Sequence, residues 1–366
     1  MAKRSVDAQE VRGWAAAAGL VLAAAAGGSA GQDATGGLQL EFAGDDSAIA
    51  EQDRYRFRSF NLTWSNDAVG FTGVGNRDRH FTNGVGLEFA WDATAAYSDW
   101  ERWLPLPKDF EDPRFAIGFN LRQYIFTPSD IGNPDPQPED WPWAGWLTIG
   151  LFVQRADDHK FDHLQLDLGL TGESSLAEAA QEQVHALLSD QIDPAGWGNQ
   201  LSHEFTFNLQ YERRWKSDEL DFGDGEGGMG ADLIPYVGGR LGNVFIDAEI
   251  GVIGRLGLNL PDTFGPASFV DITDHTGLSD DEFGIYAFGR LGGRVVARNL
   301  FLDGNIFQDS TGVDRRNFVG ELQGGFEWRW NRWYGGWSFT VLTEELDEQN
   351  GKDFYGTFTF GYVQPF

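Results

Sequence analysis

The twenty residues from Ser65 to Gly84, "SNDAVGFTGVGNRDRHFTNG", hold an Asn66-Asp67 pair, an Asp78-Arg79-His80 run and the triplet Thr82-Asn83-Gly84. Further along, "TGESSLAEAAQEQVHALLSDQIDPAGWGNQ" places Gln181 and His185 four residues apart, on one face of a helix. Imidazole exchanges a proton near neutral pH. Asp67 with carbonyl oxygens makes a hard donor set that suits calcium better than a soft metal. Thr82 supplies a hydroxyl, and Asn66 a carboxamide oxygen or donor. Other chemistries are not indicated. No H-E-x-x-H occurs, and the absence of cysteine excludes disulfides and thiolate metal sites. His163 and Asp167 fall on the polar face of a strand pattern and are expected only to wet it. His80, His159, His203 and His275 show no convergent partners, and Asp78-Arg79 reads as a loop ion pair.

The segments around these residues alternate with a period of two. In "GVGLEFAW", Val85, Leu87, Phe89 and Trp91 share one face, against Gly84, Gly86 and Glu88. "HLQLDLGL" and "SHEFTFNLQYE" repeat the pattern, each with one strongly apolar and one strongly polar face. Strands are expected near 55–66, 82–92, 114–126, 144–155, 160–170, 201–215, 231–242, 244–256, 282–296, 315–329, 333–344 and 354–366, with a weaker thirteenth at "NLFLDGN". Along the first, the parity of Asn61, Thr63 and Ser65 continues to Asp67. The polar parity of the second starts at Thr82. Asp67 and Thr82 are therefore expected in the same mouth. One segment breaks the rhythm, and a short loop helix is expected near 174–188. Ser175 and Glu178 fit a capping box, and Ala180, Val184 and Leu187 form an apolar stripe.

The chain has 366 residues and a formal charge of −29, from 56 acidic and 27 basic residues. That balance argues against nucleic acid as a partner, because such binding needs clustered Lys and Arg. Acidity favours cations, although most of these carboxylates read as solvated surface. "MAKR" followed by "WAAAAGLVLAAAAGG" reads as a signal peptide over residues 1–30, with Gly28 and Ala30 at −3 and −1 of the cut. The mature chain, 31–366, then reads as one domain. No later run is long enough for a membrane helix, so any crossing must use strands.

Periodicity alone does not say which face points inward. A soluble sandwich buries the apolar face; an outer-membrane barrel turns it to lipid. The export signal and the lack of cysteine favour the barrel. So do the Trp clusters "WPWAGW" and "WRWNRW" at strand ends, where an interfacial girdle belongs. The aromatic ending "GTFTFGYVQPF" adds to this. The expected fold is therefore all-β: a transmembrane antiparallel up-and-down barrel of about 12 strands, an even number.

Four ordered pieces, "SND…DRHFTNG", "IFTPSD…WPWAGWL", "LGLTGES…QEQVHALL…PAGWGNQL" and "NLQYERRW", resemble the outer-membrane lipid A 3-O-deacylase (LpxR) family. The resemblance covers roughly 55–366 and is strongest over 65–215. It implies a twelve-stranded barrel that hydrolyses the 3′-acyloxyacyl ester of lipid A at its outer rim, with calcium. It implies His185 as the catalytic His, Gln181 one turn before it, the Asn66-Asp67 pair with Asp67 toward the metal, and Thr82 after Phe81, where the family's common residue is Tyr. Gln191 stands at the spacing of the family's acidic residue, with Asp190 and Asp193 nearby. Those roles suit the chemistry: imidazole as base for water, and a cation and Thr82 beside the oxyanion. The partners implied are lipid A or lipopolysaccharide and outer-membrane lipids, and the expected state is a monomer. Two other readings stand beside this one. One is a non-enzymatic barrel, a channel or structural protein, on the same scaffold. The other is a phospholipase-like esterase, which would need a Ser nucleophile beside a His.

Overall fold

The computed structural model describes residues 29–32, 38–41, 54–67, 79–187, 192–222, 228–266, 272–277, 283–349 and 351–364. Most of the leader and Phe366 lie outside them. Ser29–Gln32 and Leu38–Glu41 form an antiparallel hairpin in a unit of their own.

From Tyr55 onward the chain forms one closed sheet. Its strands are β1 (Arg56–Asn66), β2 (His80–Asp92), β3 (Arg114–Thr127), β4 (Ala144–Ala156), β5 (Lys160–Thr171), β6 (Phe205–Trp215), β7 (Met229–Gly242), β8 (Phe245–Leu258), β9 (Gly284–Asn299), β10 (Phe318–Trp330), β11 (Trp333–Leu342) and β12 (Asp353–Val363). Each pairs antiparallel with the next, and β12 pairs with β1 from Gly356↔Asn66 to Val363↔Ser59. A two-residue strand, Leu220–Asp221, adds to the end of β7. The weak thirteenth strand does not form. Leu300–Asp303 makes a single helical turn, because Leu300, Phe301 and Leu302 all bury their side chains. Consecutive burial of three apolar residues does not suit a two-faced strand.

The alternation resolves as apolar outside and polar inside. Leu121, Ile149, Leu151, Leu166, Leu168, Phe207 and Leu209 are exposed on the wall. Their neighbours Asn120, Arg122, Thr148, Gln165, Asp167, Asn208 and Gln210 are buried. That is the inverse of a soluble protein and fits a wall set in hydrocarbon. Among the described residues no helix is long and apolar enough to cross a membrane. The lumen neutralises its charges in pairs: Arg122–Glu88, Arg214–Glu212, Arg255–Asp232, Arg240–Asp247 and Arg155–Asp162–Arg213. A charge left alone there would cost several kcal/mol, of order 3–5 if one partner were removed.

Aromatic and aliphatic side chains close the lumen at both ends. At the end where β3 finishes and β4 begins, Phe126, Trp141, Trp146, Leu201, Val244, Phe301 and Leu346 pack together. At the other end the β8–β9 connection folds inward, with Phe264 and Ile272 against Phe161, Tyr236 and Tyr286. The "WPWAGW" cluster is therefore core, not girdle: Trp141, Trp143 and Trp146 are all buried. The second cluster does expose Trp330 and Trp333.

Candidate active site

The β1–β2 connection brings three of the expected site residues together. Asn66 donates from Nδ2 to the Thr82 carbonyl at 2.9 Å, and the Asp67 backbone N–H reaches the same carbonyl at 3.4 Å. Asp67 is buried, and its Oδ2 accepts from the Arg79 N–H at 2.6 Å. Ser65 points inward as the strand parity requires, meeting Thr357 Oγ1 at 2.8 Å.

Thr82 departs from simple parity. The β2–β3 register slips between Phe81 and Asn83, so Thr82 is the extra residue of a bulge. Phe81 turns into the lumen against Tyr124, Phe126 and Tyr355. Thr82 Oγ1 meets Thr127 Oγ1 at 2.6 Å. Alternation along β3 puts Thr127 with Ile125 and Gln123 on the outer wall, not in the lumen mouth. A bulge re-aims one side chain at the end of a ladder, and its position depends on the partner strand.

The outer wall of β3 and β4 carries the His helix. After a helical turn at Gly172–Ser175, an α-helix runs Ala177–Leu187, inside the expected span. Ala177 and Ala180 pack on Ile125, Ile131, Trp143 and Trp197. Gln123 Nε2 donates to the Ser175 carbonyl at 2.7 Å. The expected capping box does not form. Leu176 takes a left-handed φ of 59°, and Ser175 Oγ donates to the Gly172 carbonyl at 2.6 Å while lying 3.4 Å from the Ala177 N–H. Leu176 in this conformation separates the helical turn from the α-helix.

Gln181 and His185 are both buried on this helix. Gln181 Oε1 accepts from Trp197 Nε1 at 2.9 Å. His185 Nδ1 lies 2.8 Å from the Ile192 carbonyl oxygen. A carbonyl only accepts, so Nδ1 carries the proton and Nε2 presents the basic lone pair. A backbone carbonyl thus orients the ring, where an acidic side chain was looked for. Asp190 and Gln191 lie outside the described residues, and Asp193 is exposed. The geometry places Thr82 and the His helix on the same outer wall at the rim, with Asn66 and Asp67 bonded to the Thr82 carbonyl.

Two histidines expected to lack partners have them. His80 Nδ1 is 2.7 Å from both Asp353 oxygens, and Nε2 is 3.0 Å from Asp140 Oδ1. Burial would raise the Asp140 pKa, but His80 and the Ser129 and Trp141 N–H groups hold it down at about 2. His275 Nε2 is 2.5 Å from Glu88 Oε1, and its Nδ1 is 2.7 Å from Ser59 Oγ. That Ser-His-Glu arrangement is one of two places among the described residues where a Ser hydroxyl meets a His; the other is Ser129 Oγ, 3.3 Å from His80 Nε2. Ser59 is 1% exposed, beneath the folded-in β8–β9 connection, and Glu88 also binds Arg122. It fastens that connection in the lumen. These partners are far apart in sequence, and no local pattern marks them.

For calcium, the donor types fit in part. Asp67 and Asn66 offer hard oxygens at one point of the rim. Among the described residues no group of three or more His, Asp or Glu is placed to hold a metal. They supply a fraction of a calcium shell.

The seating of the helix gives a test. Gly145 points outward beneath it, and a Cβ there would overlap Ser175 Oγ and the Ala177 Cβ. Gly145→Val should displace the helix start, an overpacking strain of about 1–3 kcal/mol. The barrel should still show heat-modifiable gel migration, while any activity that depends on His185 falls by about tenfold or more.

A family model described as outer membrane protein LpxR matches residues 30–363. No curated protein matches the chain. Among solved structures, LpxR from Salmonella typhimurium matches with a TM-score of 0.67 at 19% identity, over 84% of this chain and 100% of that one. The β domain of the Bordetella autotransporter BrkA matches at 0.39 and 12%, over 85% and 99%. The translocator domain of NalP from Neisseria meningitidis matches at 0.33 and 11%, over 84% and 86%. At 19% identity the likeness to the Salmonella protein is one of fold.

Proposed function

Because the chain belongs to the LpxR family of outer-membrane proteins, we propose that this barrel is a lipid A esterase that removes the 3′-acyloxyacyl chain with His185 as general base. The observation that carries the reading is the His185 tautomer: Nδ1–H is tied to the Ile192 carbonyl, which leaves proton transfer to Nε2. His185 Nε2 takes a proton from water as the oxygen attacks the ester carbonyl. Thr82 Oγ1 donates to the oxyanion that forms. The intermediate collapses, the bond to the sugar 3′ oxygen breaks, and the imidazolium returns its proton to that oxygen. A free acid and a 3′-hydroxyl result. Gln181, fixed by Trp197, holds the face of the helix that carries His185.

The position of the helix suits a lipid substrate. Leu176 and Ile192, at its two ends, are exposed on the outer side of the barrel. An acyl chain lying against that wall reaches the site without entering the lumen. Asp67 and Asn66 would hold calcium, which when bound supplies positive charge for the oxyanion. The packed lumen weighs against the channel reading; against a serine esterase weigh the burial of Ser59 and, at Ser129, a His80 whose two nitrogens are both taken by carboxylates. Mass spectrometry of lipid A from cells with and without the chain tests the proposal. Expression should convert lipid A to a species lacking the 3′-linked acyloxyacyl group. Unchanged lipid A in cells with the folded protein in the outer membrane would sink it.

A further inference from the structure

We infer that His80 is a positioning residue for this site: an imidazolium clamped between Asp140 and Asp353 that holds Asp67 and Thr82 in place. The inference rests on the deacylase reading and adds to it a group that touches no substrate. Its charge follows from hydrogen-bond geometry. Each ring nitrogen of His80 meets a carboxylate oxygen, at 2.7 Å to Asp353 and 3.0 Å to Asp140. Carboxylates only accept, so both nitrogens carry hydrogen. The ring also stacks on Trp141, with centroids 5.8 Å apart, a face that favours a cation.

The clamp joins three connections at the site end. Asp353 opens β12 and is further held by Arg79 at 3.4 Å and by Gln349 Nε2 at 2.9 Å. Asp140 belongs to the β3–β4 connection and accepts from the Ser129 N–H at 2.8 Å. Glu345, from the β11–β12 connection, is the other carboxylate whose field reaches His80 and Asp353. Among the described residues the charged groups facing the ring are Asp140, Asp353 and Glu345, with the Arg79 guanidinium on Asp353.

The backbone shows what the clamp does. His80 has φ of 63°, in the left-handed region that residues with a Cβ seldom enter. The residue before it, Arg79, donates its N–H to Asp67 Oδ2. The residues after it form the bulge that puts Thr82 on the outer wall. One unusual conformation thus serves both site groups, and the two carboxylates keep it.

The test uses the full-length protein in detergent. His80→Asn tolerates the left-handed backbone but cannot bridge two carboxylates; Asp353→Asn keeps the shape and removes one charge. Ring nitrogen shifts of labelled His80 should report a doubly protonated ring at pH 7. On lipid A, His80→Asn should lower kcat about 10- to 100-fold, the size expected from misplacing catalytic groups by about 1 Å. KM should stay within about twofold and gel migration should be unchanged. The wild type should lose activity on the alkaline side as the ring gives up its proton; His80→Asn should lack that limb, and Asp353→Asn should shift it to lower pH. A neutral His80 ring at pH 7, or variants that keep the wild-type kcat and pH profile, overturns the inference. Wild type that releases no acyl chain while its His80 ring is doubly protonated refutes the deacylase reading and leaves the clamp supported.

Discussion

His185→Ala should release the 3′-linked chain from lipid A at least about 10²-fold more slowly than wild type, the lower range for loss of a general base. The barrel should be unaffected, because its wall is complete without the helix side chains. The contrast that gives the result meaning is His163→Ala. His163 is buried in the lumen, with Gln154 Nε2 at 3.0 Å from its Nδ1 and Phe152 stacked on its ring. Its loss should leave the rate within about threefold, since that ring is in the lumen and not on the outer wall. Purified variants assayed side by side on lipid A decide between them. If His163→Ala abolished release while His185→Ala kept it, the chemistry would lie inside the barrel and the outer-wall site would be wrong.

Chelation should remove activity almost entirely, and added calcium should restore it. Asp67→Asn isolates the charge in this effect. The amide keeps an oxygen for the Arg79 N–H but loses the negative charge that attracts a cation. Loss of an electrostatic partner for an oxyanion costs about 10²–10³-fold in comparable sites. Asp67→Asn should show that loss at low calcium and recover part of it at high calcium. Calcium titration of the rate, with terbium luminescence as a direct binding signal, measures both. Full activity in excess chelator would exclude the metal role and leave Asp67 as a hydrogen-bond acceptor for the β1–β2 connection.

The twelve strands were legible because each writes its two environments into its own residues. "HLQLDLGL" names its wall and lumen faces without reference to any partner. The helix was legible for the same reason, through the stripe of Ala180, Val184 and Leu187, of which Ala180 packs on the wall. The side of the wall it occupies was not, since Ile125 and Gly145 contribute to that choice from other strands. The bulge at Thr82 was hidden because register belongs to a pair of strands. His80 and Asp353 stand 273 positions apart, and Glu88 and His275 stand 187 apart. Only the closed sheet brings them together. The Trp cluster misled because aromatic composition is the same in a girdle and in a packed core; Trp146 shows its place only through Thr206 Oγ1 at 2.9 Å.

The seam between β12 and β1 has a bearing on when this protein can act. Asn66 lies at one end of that seam, opposite Gly356, and Arg79 reaches across to Asp353. One wall of the site is thus built from the first strand and completed by the last. A chain still on its way through the periplasm has Asn66 on an open edge and no clamp on His80. On the deacylase reading, the site is complete only once the ring has closed. On that reading, the topology of the sheet would itself decide when and where the site can act.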